Sequence, residues 1–398
     1  MNILKKICCR TVQISFRLAL PLLPYREPKL YSNLKEVKDI LLDLGAESVL
    51  LVTGKTHKRI GATLPLEKSL NDNGIKVVVY SETKPNPTVE NVEEVKELYI
   101  KNRCDVIIAF GGGSPLDCAK ALGALVAYPK KELKDLKGVL KVRRKTPTII
   151  AIPTTAGTGS ECTLAAVITD DVKKDKYAIS SFPLIPEYAV LDPRLTFTLP
   201  KELTATTGMD ALTHAVEAYI GRSTTKETRR RALYAVKLIF ENIYAAYTNG
   251  LDYGARKNMM IASYNAGLAF SKSYVGYVHA VAHSLGGEYN VAHGLANAIL
   301  LPVILEEYGK SVHKKLYKLA VVSGLCNEED SYEEGANKFI SAIYDLNERM
   351  NIGKNFKELK KEDITSLAIH ADKEANPLYP VPKLMNAKEL EKIYYRVL

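Results

Sequence analysis

From Leu34 to Phe110 two kinds of hydrophobic pattern alternate along the chain. Leu34–Leu44 carries apolar residues at helical spacing and stops at Gly45, whereas Ser48–Thr53 is a short apolar run that leads into Gly54. Helical periodicity returns over residues 64–73, and Ile75–Tyr80 is again apolar and β-branched. Past the loop Pro85-Asn-Pro87, Val89–Asn102 reads as a charged amphipathic helix and Asp105–Phe110 as another apolar run. Such runs, separated by amphipathic helices, predict parallel strands with both sheet faces covered. The pattern therefore predicts an α/β half with a parallel, Rossmann-like sheet, the architecture of dinucleotide-binding domains, with ligands outside the carboxyl ends of the strands. Asp192-Pro193 and the turn Thr198-Leu-Pro200 end this alternation. From residue 201 onward everything reads as helix, with loops around 248–253, 286–292, 326–332 and 372–386. The expected organisation is an α/β domain over 25–196 and an all-α domain over 197–398, preceded by an extension over 1–24.

Residues 1–24 mix Lys5, Lys6, Arg10 and Arg17 with Ile3, Leu4, Ile14, Phe16, Leu18 and Leu20. The stretch lacks the unbroken apolar core and small-residue cleavage site of a secretory signal, and it is too charged to span a bilayer. An amphipathic helix packed on the body or on a partner subunit is the expectation, with membrane-surface association as the alternative. A formal net charge of +10 comes from clusters such as Lys130–Lys145 and Arg229–Arg231. Runs of this kind are most often solvated faces, and without interleaved aromatics or a motif they do not point to nucleic acid. The six cysteines have no CxxC spacing, so neither a zinc ribbon nor a disulfide framework is indicated, and a reducing, cytoplasmic setting fits.

Three stretches carry candidate chemistry. Gly111-Gly-Gly-Ser-Pro-Leu-Asp117 follows a predicted strand, with Ser114 as a good N-cap and Pro115 suited to a first helical turn. A helix N-terminus with free N–H groups is ready for a pyrophosphate, although glycine triplets also serve as plain turns. Strand Thr148–Ile152 then delivers Pro153-Thr-Thr-Ala-Gly-Thr-Gly-Ser-Glu161, a polar loop that permits close approach. Lys176 lies in a polar, hairpin-like region and reads either as a surface lysine or as one that reaches a ligand.

The third stretch holds four of the seven histidines. Asp210 and His214 are four residues apart, as are His279 and His283, so each pair shares one helix face. Gly286-Gly287 reads as a helix stop, and His293 precedes the apolar run Leu295–Leu305. A single histidine on an apolar face is usually a satisfied core residue. Four polar groups within apolar helices are costly to bury without a common partner, and a first-row divalent metal supplies one. With Glu217 counted there are six candidates, and spacing leaves open which of them bind.

These motifs, in this order, resemble the iron-containing (type III) alcohol dehydrogenase family. The likeness spans roughly residues 45–390 and is most specific in the glycine–serine turn, the threonine–glycine loop, Met209-Asp-Ala-Leu-Thr-His-Ala-Val-Glu217 and His279-Ala-Val-Ala-His283. The resemblance implies the dehydroquinate synthase-like superfold. It implies that Asp210, His214, His279 and His293 hold a divalent metal, Fe(2+) with Zn(2+) as the alternative, and leaves His283 as a proton relay. It further implies that Gly112, Gly113, Ser114, Asp117, Thr154, Thr155, Thr158, Thr163 and Lys176 surround a nicotinamide cofactor, with Asn86 on the adenine side. Gly54 stands where NAD-preferring relatives have aspartate, so NADP(H) is expected ahead of NAD(H), with Lys55 and Lys58 near a 2′-phosphate. The reaction expected is hydride transfer between the cofactor and a small alcohol or aldehyde, in a homodimer. Ala292, where many relatives have proline, and the extension over 1–24 depart from the family pattern. A zinc polyol dehydrogenase of the same superfold and a metal-dependent hydrolase are the competing readings.

Overall fold

The computed structural model describes residues 1–172 and 175–398, which divide into two compact units. One comprises Pro24–Leu199, the other Met1–Leu23 together with Pro200–Leu398.

In the first unit the strands are β1 (Lys29–Tyr31), β2 (Ser48–Val52), β3 (Lys76–Tyr80), β4 (Val106–Gly111), β5 (Gly138–Val139), β6 (Thr148–Pro153), β7 (Ala165–Asp170), β8 (Asp175–Ser180) and β9 (Tyr188–Val190). Among the described residues, six form one sheet in the order β1-β9-β6-β4-β2-β3, with every pairing parallel. The expected apolar runs become β2, β3, β4 and β6 with ends shifted by a residue or so. Strand β2 shows why its pattern does not alternate: Leu50 and Val52 belong to one core, Val49 and Leu51 to another. Both faces are covered, so both need apolar side chains. Strands β1 and β9 escape the sequence pattern because each is three residues long. Strands β7 and β8 form an antiparallel hairpin, beside which β5 pairs with β8.

The second unit is helical. The Ile3–Ala19 helix packs back on this unit. The Arg10 guanidinium donates to the Val381 and Pro382 carbonyls, and the Gln13 amide donates to the Tyr379 carbonyl at 2.7 Å. The stop expected at Gly286-Gly287 does not occur. The Tyr277–Tyr289 helix runs through both glycines, and Asn290 ends it in the left-handed conformation, its N–H bonded to the Gly286 carbonyl at 3.1 Å. Glycine inside a helix costs only about 1 kcal/mol, which packing overrides, whereas asparagine is one of the few residues that tolerate the left-handed cap. Among the described residues no helix is long and apolar enough to cross a membrane.

Candidate functional site

The Lys201–Ile220 helix is buried nearly all round from Thr204 onward. Beyond the apolar stripe Met209, Leu212, Val216 and Tyr219, it buries Ala205, Ala211, Ala215 and Ala218 on its other sides. Neighbouring helices thus approach closely, and Asp210, His214 and Glu217 are carried into the interior. The Tyr277–Tyr289 helix brings His279, and the His293–Tyr308 helix opens on His293 itself.

One donor atom from each of Asp210, His214, His279 and His293 lies within 4.8 Å of all the others. Asp210 Oδ1 is 3.9 Å from His214 Nδ1 and 3.5 Å from His293 Nε2. Bonds of about 2.1 Å to one divalent cation keep its donors roughly 3–4 Å apart, so the spacing fits. Protonation fits as well. Burial, then the nearby charges of His214, His293 and His283, holds His279 well below the ordinary imidazole range, in the neutral form that a metal requires. His279 Nδ1 is 2.6 Å from Glu217 Oε2, which assigns its proton to that nitrogen and leaves the Nε2 lone pair facing the cluster.

Glu217 is the residue that holds this arrangement together. It accepts from the Gly276 N–H at 2.7 Å and the Val278 N–H at 2.8 Å, at the start of the helix that carries His279. A side chain at Gly276 would begin 2.6 Å from Glu217 Oε1, so only glycine permits the contact. Burial pushes the Glu217 carboxyl up to about 8, against three N–H groups that favour its charged form. Asn297, four residues beyond His293, donates from Nδ2 to Asp210 Oδ1 at 2.7 Å and sits 3.1 Å from His293 Nε2 and 3.3 Å from His279 Nε2. The His214 ring stacks on Phe270 at 4.0 Å and on His279 at 4.5 Å, which fixes its plane.

His283 lies beside this group. Its ring stacks on His293 at 5.2 Å, and its Nδ1 is 2.6 Å from Glu374 Oε1. The Tyr379 hydroxyl donates to the same oxygen at 2.7 Å. Burial works to raise the Glu374 carboxyl, but the charge and hydrogen bond of His283, then Tyr379 and His370, hold it below the usual range.

In the α/β unit the candidate turn follows β4. The helix Gly113–Ala127 is capped by Gly112, not Ser114 as expected, and Gly112 contributes no side-chain hydrogen bond. Ser114 falls inside the first turn, where its hydroxyl accepts from the Asn86 N–H at 3.3 Å, so its cap role is taken over by a tertiary contact. Asn86 holds a left-handed conformation and accepts from Lys176 at 2.8 Å, which joins Asn86, Ser114 and Lys176 in one chain of contacts. The threonine–glycine loop packs against the turn: a side chain at Gly113 would meet Thr158 Cγ2 at 3.0 Å, and one at Gly112 would meet Thr155. Asp117 and Thr163 point elsewhere. Asp117 accepts from the Ser160 hydroxyl at 2.6 Å and the Val167 N–H at 3.0 Å, and buried Lys120 donates to Thr163 Oγ1 at 2.9 Å. Gly54 caps the short helix Lys55–Arg59 just after β2. From that helix His57 reaches Thr154 Oγ1 at 2.9 Å, which ties the Gly54 segment to the threonine loop.

Residues 31–193 match the family described as iron-containing alcohol dehydrogenase, and residues 204–398 match the Fe-containing alcohol dehydrogenase family, C-terminal. The chain belongs to the iron-containing alcohol dehydrogenase family. It is an oxidoreductase. It is 40% identical over 342 residues to alcohol dehydrogenase 4 of Saccharomyces cerevisiae, covering 85% of this chain and 88% of the relative. It is 38% identical over 355 residues to 1,3-propanediol dehydrogenase of Citrobacter freundii, covering 88% and 91%. The crystal structure of a 1,3-propanediol oxidoreductase superposes with a TM-score of 0.90 at 34% identity, covering 94% of this chain and 99% of that one.

Four residues of this family member escaped the sequence reading. Asn297 could have been found as the first polar residue in the apolar run after His293. His57 and Lys120 leave no signal beyond a polar residue near a candidate loop, and Glu374 none, because its partner His283 is 91 residues away.

Proposed function

We propose that the chain interconverts a small alcohol and its aldehyde with a nicotinamide cofactor, using a divalent metal, iron ahead of zinc, held by Asp210, His214, His279 and His293. The observation that carries the reading is the convergence of one carboxylate and three imidazoles within 4.8 Å, with His279 turned to present its free nitrogen. When bound, the cation supplies Lewis acidity at the alcohol oxygen, and the nicotinamide accepts or returns the hydride. Glu217 orients His279. His283 keeps its Nδ1 proton on Glu374, which leaves Nε2 to take up the proton released when the alcohol is oxidised. Gly112, Gly113, Ser114, Thr154, Thr155 and Thr158 border the cofactor phosphates, with Lys176 and Asn86 beside them. Asp117 and Thr163 act through Ser160 and Lys120 on the shape of that loop. The six cysteines are free thiols, which favours a cytoplasmic setting; a homodimer is the assembly we assign by default.

NADP(H) is the preferred nucleotide in this reading. Relatives that depend on NAD and on NADPH both occur. The support is Gly54, which places no carboxylate after β2. The two nearby lysines add less than expected, because Lys55 pairs with Glu82 and Lys58 with Glu67. A side chain at Gly54 would meet nothing closer than the Thr83 carbonyl at 3.6 Å, so an aspartate fits there. Gly54→Asp is expected to move the ratio of kcat/KM for NADP(H) over NAD(H) down by about tenfold, through repulsion of a 2′-phosphate and bonds to ribose.

The deciding experiment is metal analysis of protein purified without oxygen, paired with nicotinamide absorbance on a panel of alcohols and aldehydes. Bound iron or zinc with cofactor turnover supports the reading. Phosphate release from phosphoesters with no cofactor turnover would replace it with the hydrolase.

A further inference from the structure

The helical unit contains a second feature that alcohol oxidation does not use. A hollow of about 390 Å³ is lined by Arg17, Arg222, Arg229, Lys314, Lys315 and Lys318, with Tyr219, Gly221 and Thr224 between them. Its lining includes no carboxylate. Among the described residues, none of these six cations is ion-paired with an acidic side chain. Arg17 comes from the Ile3–Ala19 helix, Arg222 and Arg229 from either side of the start of Lys226–Thr248, and the lysines from His313–Val322. Bringing like charges together from three helices is unfavourable unless something negative joins them.

Parts of the hollow are already fixed. Arg229 donates to Thr224 Oγ1 at 2.9 Å, which holds the guanidinium at the start of the 23-residue Lys226–Thr248 helix, the end that favours anions. The lining also takes in the end of the Lys201–Ile220 helix, whose carbonyls would repel an anion. Lys315 neutralises that end by donating to the Ile220 and Gly221 carbonyls, each at 2.8 Å. Burial, then the charges of Arg229, Arg222 and Arg17, pulls the Lys315 ammonium down to about 8. The neighbouring cations therefore act on one another as repelling charges. The volume falls in the range of small-molecule sites, roughly 300–1,000 Å³, and the walls offer guanidinium forks and ammonium groups, the usual partners of phosphate.

We propose that this hollow binds an anion carrying several phosphate charges, of the size of a di- or triphosphate. The group is either free in solution or the headgroup of an anionic lipid, and two arms of one experiment separate these sources. The protein, saturated with nicotinamide cofactor so that the glycine–serine turn is filled, is titrated with inorganic tripolyphosphate by calorimetry. In the second arm it is sedimented with phosphatidylcholine vesicles with and without cardiolipin, whose headgroup carries two phosphates. Both arms are repeated with Arg222→Glu/Lys318→Glu, two exposed positions outside the proposed catalytic machinery, and with Lys101→Glu/Lys257→Glu, a control of equal net charge.

Saturable tripolyphosphate binding, weakened at least about tenfold in the first variant and kept in the control, is the expected result and identifies a soluble anion. Binding confined to cardiolipin vesicles, and lost in the same variant, assigns the phosphates to a lipid. Equal weakening in both double variants, or none in either, overturns the site. Circular dichroism and alcohol oxidation of the first variant, expected unchanged, separate a lost site from a lost fold.

Discussion

Two helices of the same unit carry a pair of polar residues at the same spacing, and they use it differently. On Lys201–Ile220, Asp210 and His214 both enter the four-residue cluster, and Glu217, one turn on, braces the helix opposite. On Tyr277–Tyr289, His279 enters the cluster while His283 turns its Nδ1 to Glu374. The two carboxylates that receive these imidazoles also differ. Glu217 is enclosed and pushed up to about 8 by burial, whereas Glu374, also opposed by burial, is held below its usual range by His283 and Tyr379. A spacing of four thus sets which face two residues share. What waits opposite that face decides whether they share a role.

The comparison breaks first at His279. His279→Ala is expected to lower divalent-cation affinity by more than the roughly 100-fold that an outer partner costs, and to remove alcohol oxidation with it. Metal content after gel filtration, read beside cofactor turnover, checks this; a variant that keeps its cation would place His279 with His283. His283→Ala should retain the cation and lose turnover by about 100-fold, the lower end for general acid–base catalysis. Loss of cation in step with activity would make His283 a ligand and erase the asymmetry between the two pairs.

The supporting carboxylates give smaller effects. Glu217→Gln keeps the shape but sets an amide N–H group where one oxygen faces N–H donors, and an affinity loss of roughly 10–100-fold is expected in a zinc or iron titration. If affinity holds while the protein melts earlier, Glu217 serves packing alone. Glu374→Gln should cost turnover only several-fold, with cation content intact. This variant also tests the direction of the Glu374 shift. A carboxyl held low in the fold contributes stability that is present above its unfolded value and lost as pH falls through its folded value. Thermal melts of parent and Glu374→Gln should therefore differ most near neutral pH and converge as the solution is acidified below the ordinary glutamate range. A gap that widens in acid contradicts the shift.

Much of this was legible along the chain, for reasons that differ by region. Strands β2, β3, β4 and β6 are announced by unbroken apolar runs because both sheet faces are covered. Asp210, His214 and His279 stand out because an ionisable residue in an apolar helix has few inexpensive explanations. The glycine–serine turn was visible, but its cap was not: Ser114 has the chemistry of an N-cap, yet the Asn86 N–H claims its hydroxyl. The helix end at Asn290 was likewise misplaced, since local preference marked the glycine pair and packing carried the helix through it.

The sequence by itself determined the covered parallel sheet, the buried helices and which polar residues share a face, because these follow from periods of a few residues. Only the tertiary structure decided that Glu217 braces His279 across 62 residues, that Glu374 takes His283 across 91, and that Asn297 reaches Asp210 across 87. Such partnerships leave no periodic trace. They depend on how closely helices approach one another, and that distance is fixed by the packed interior as a whole.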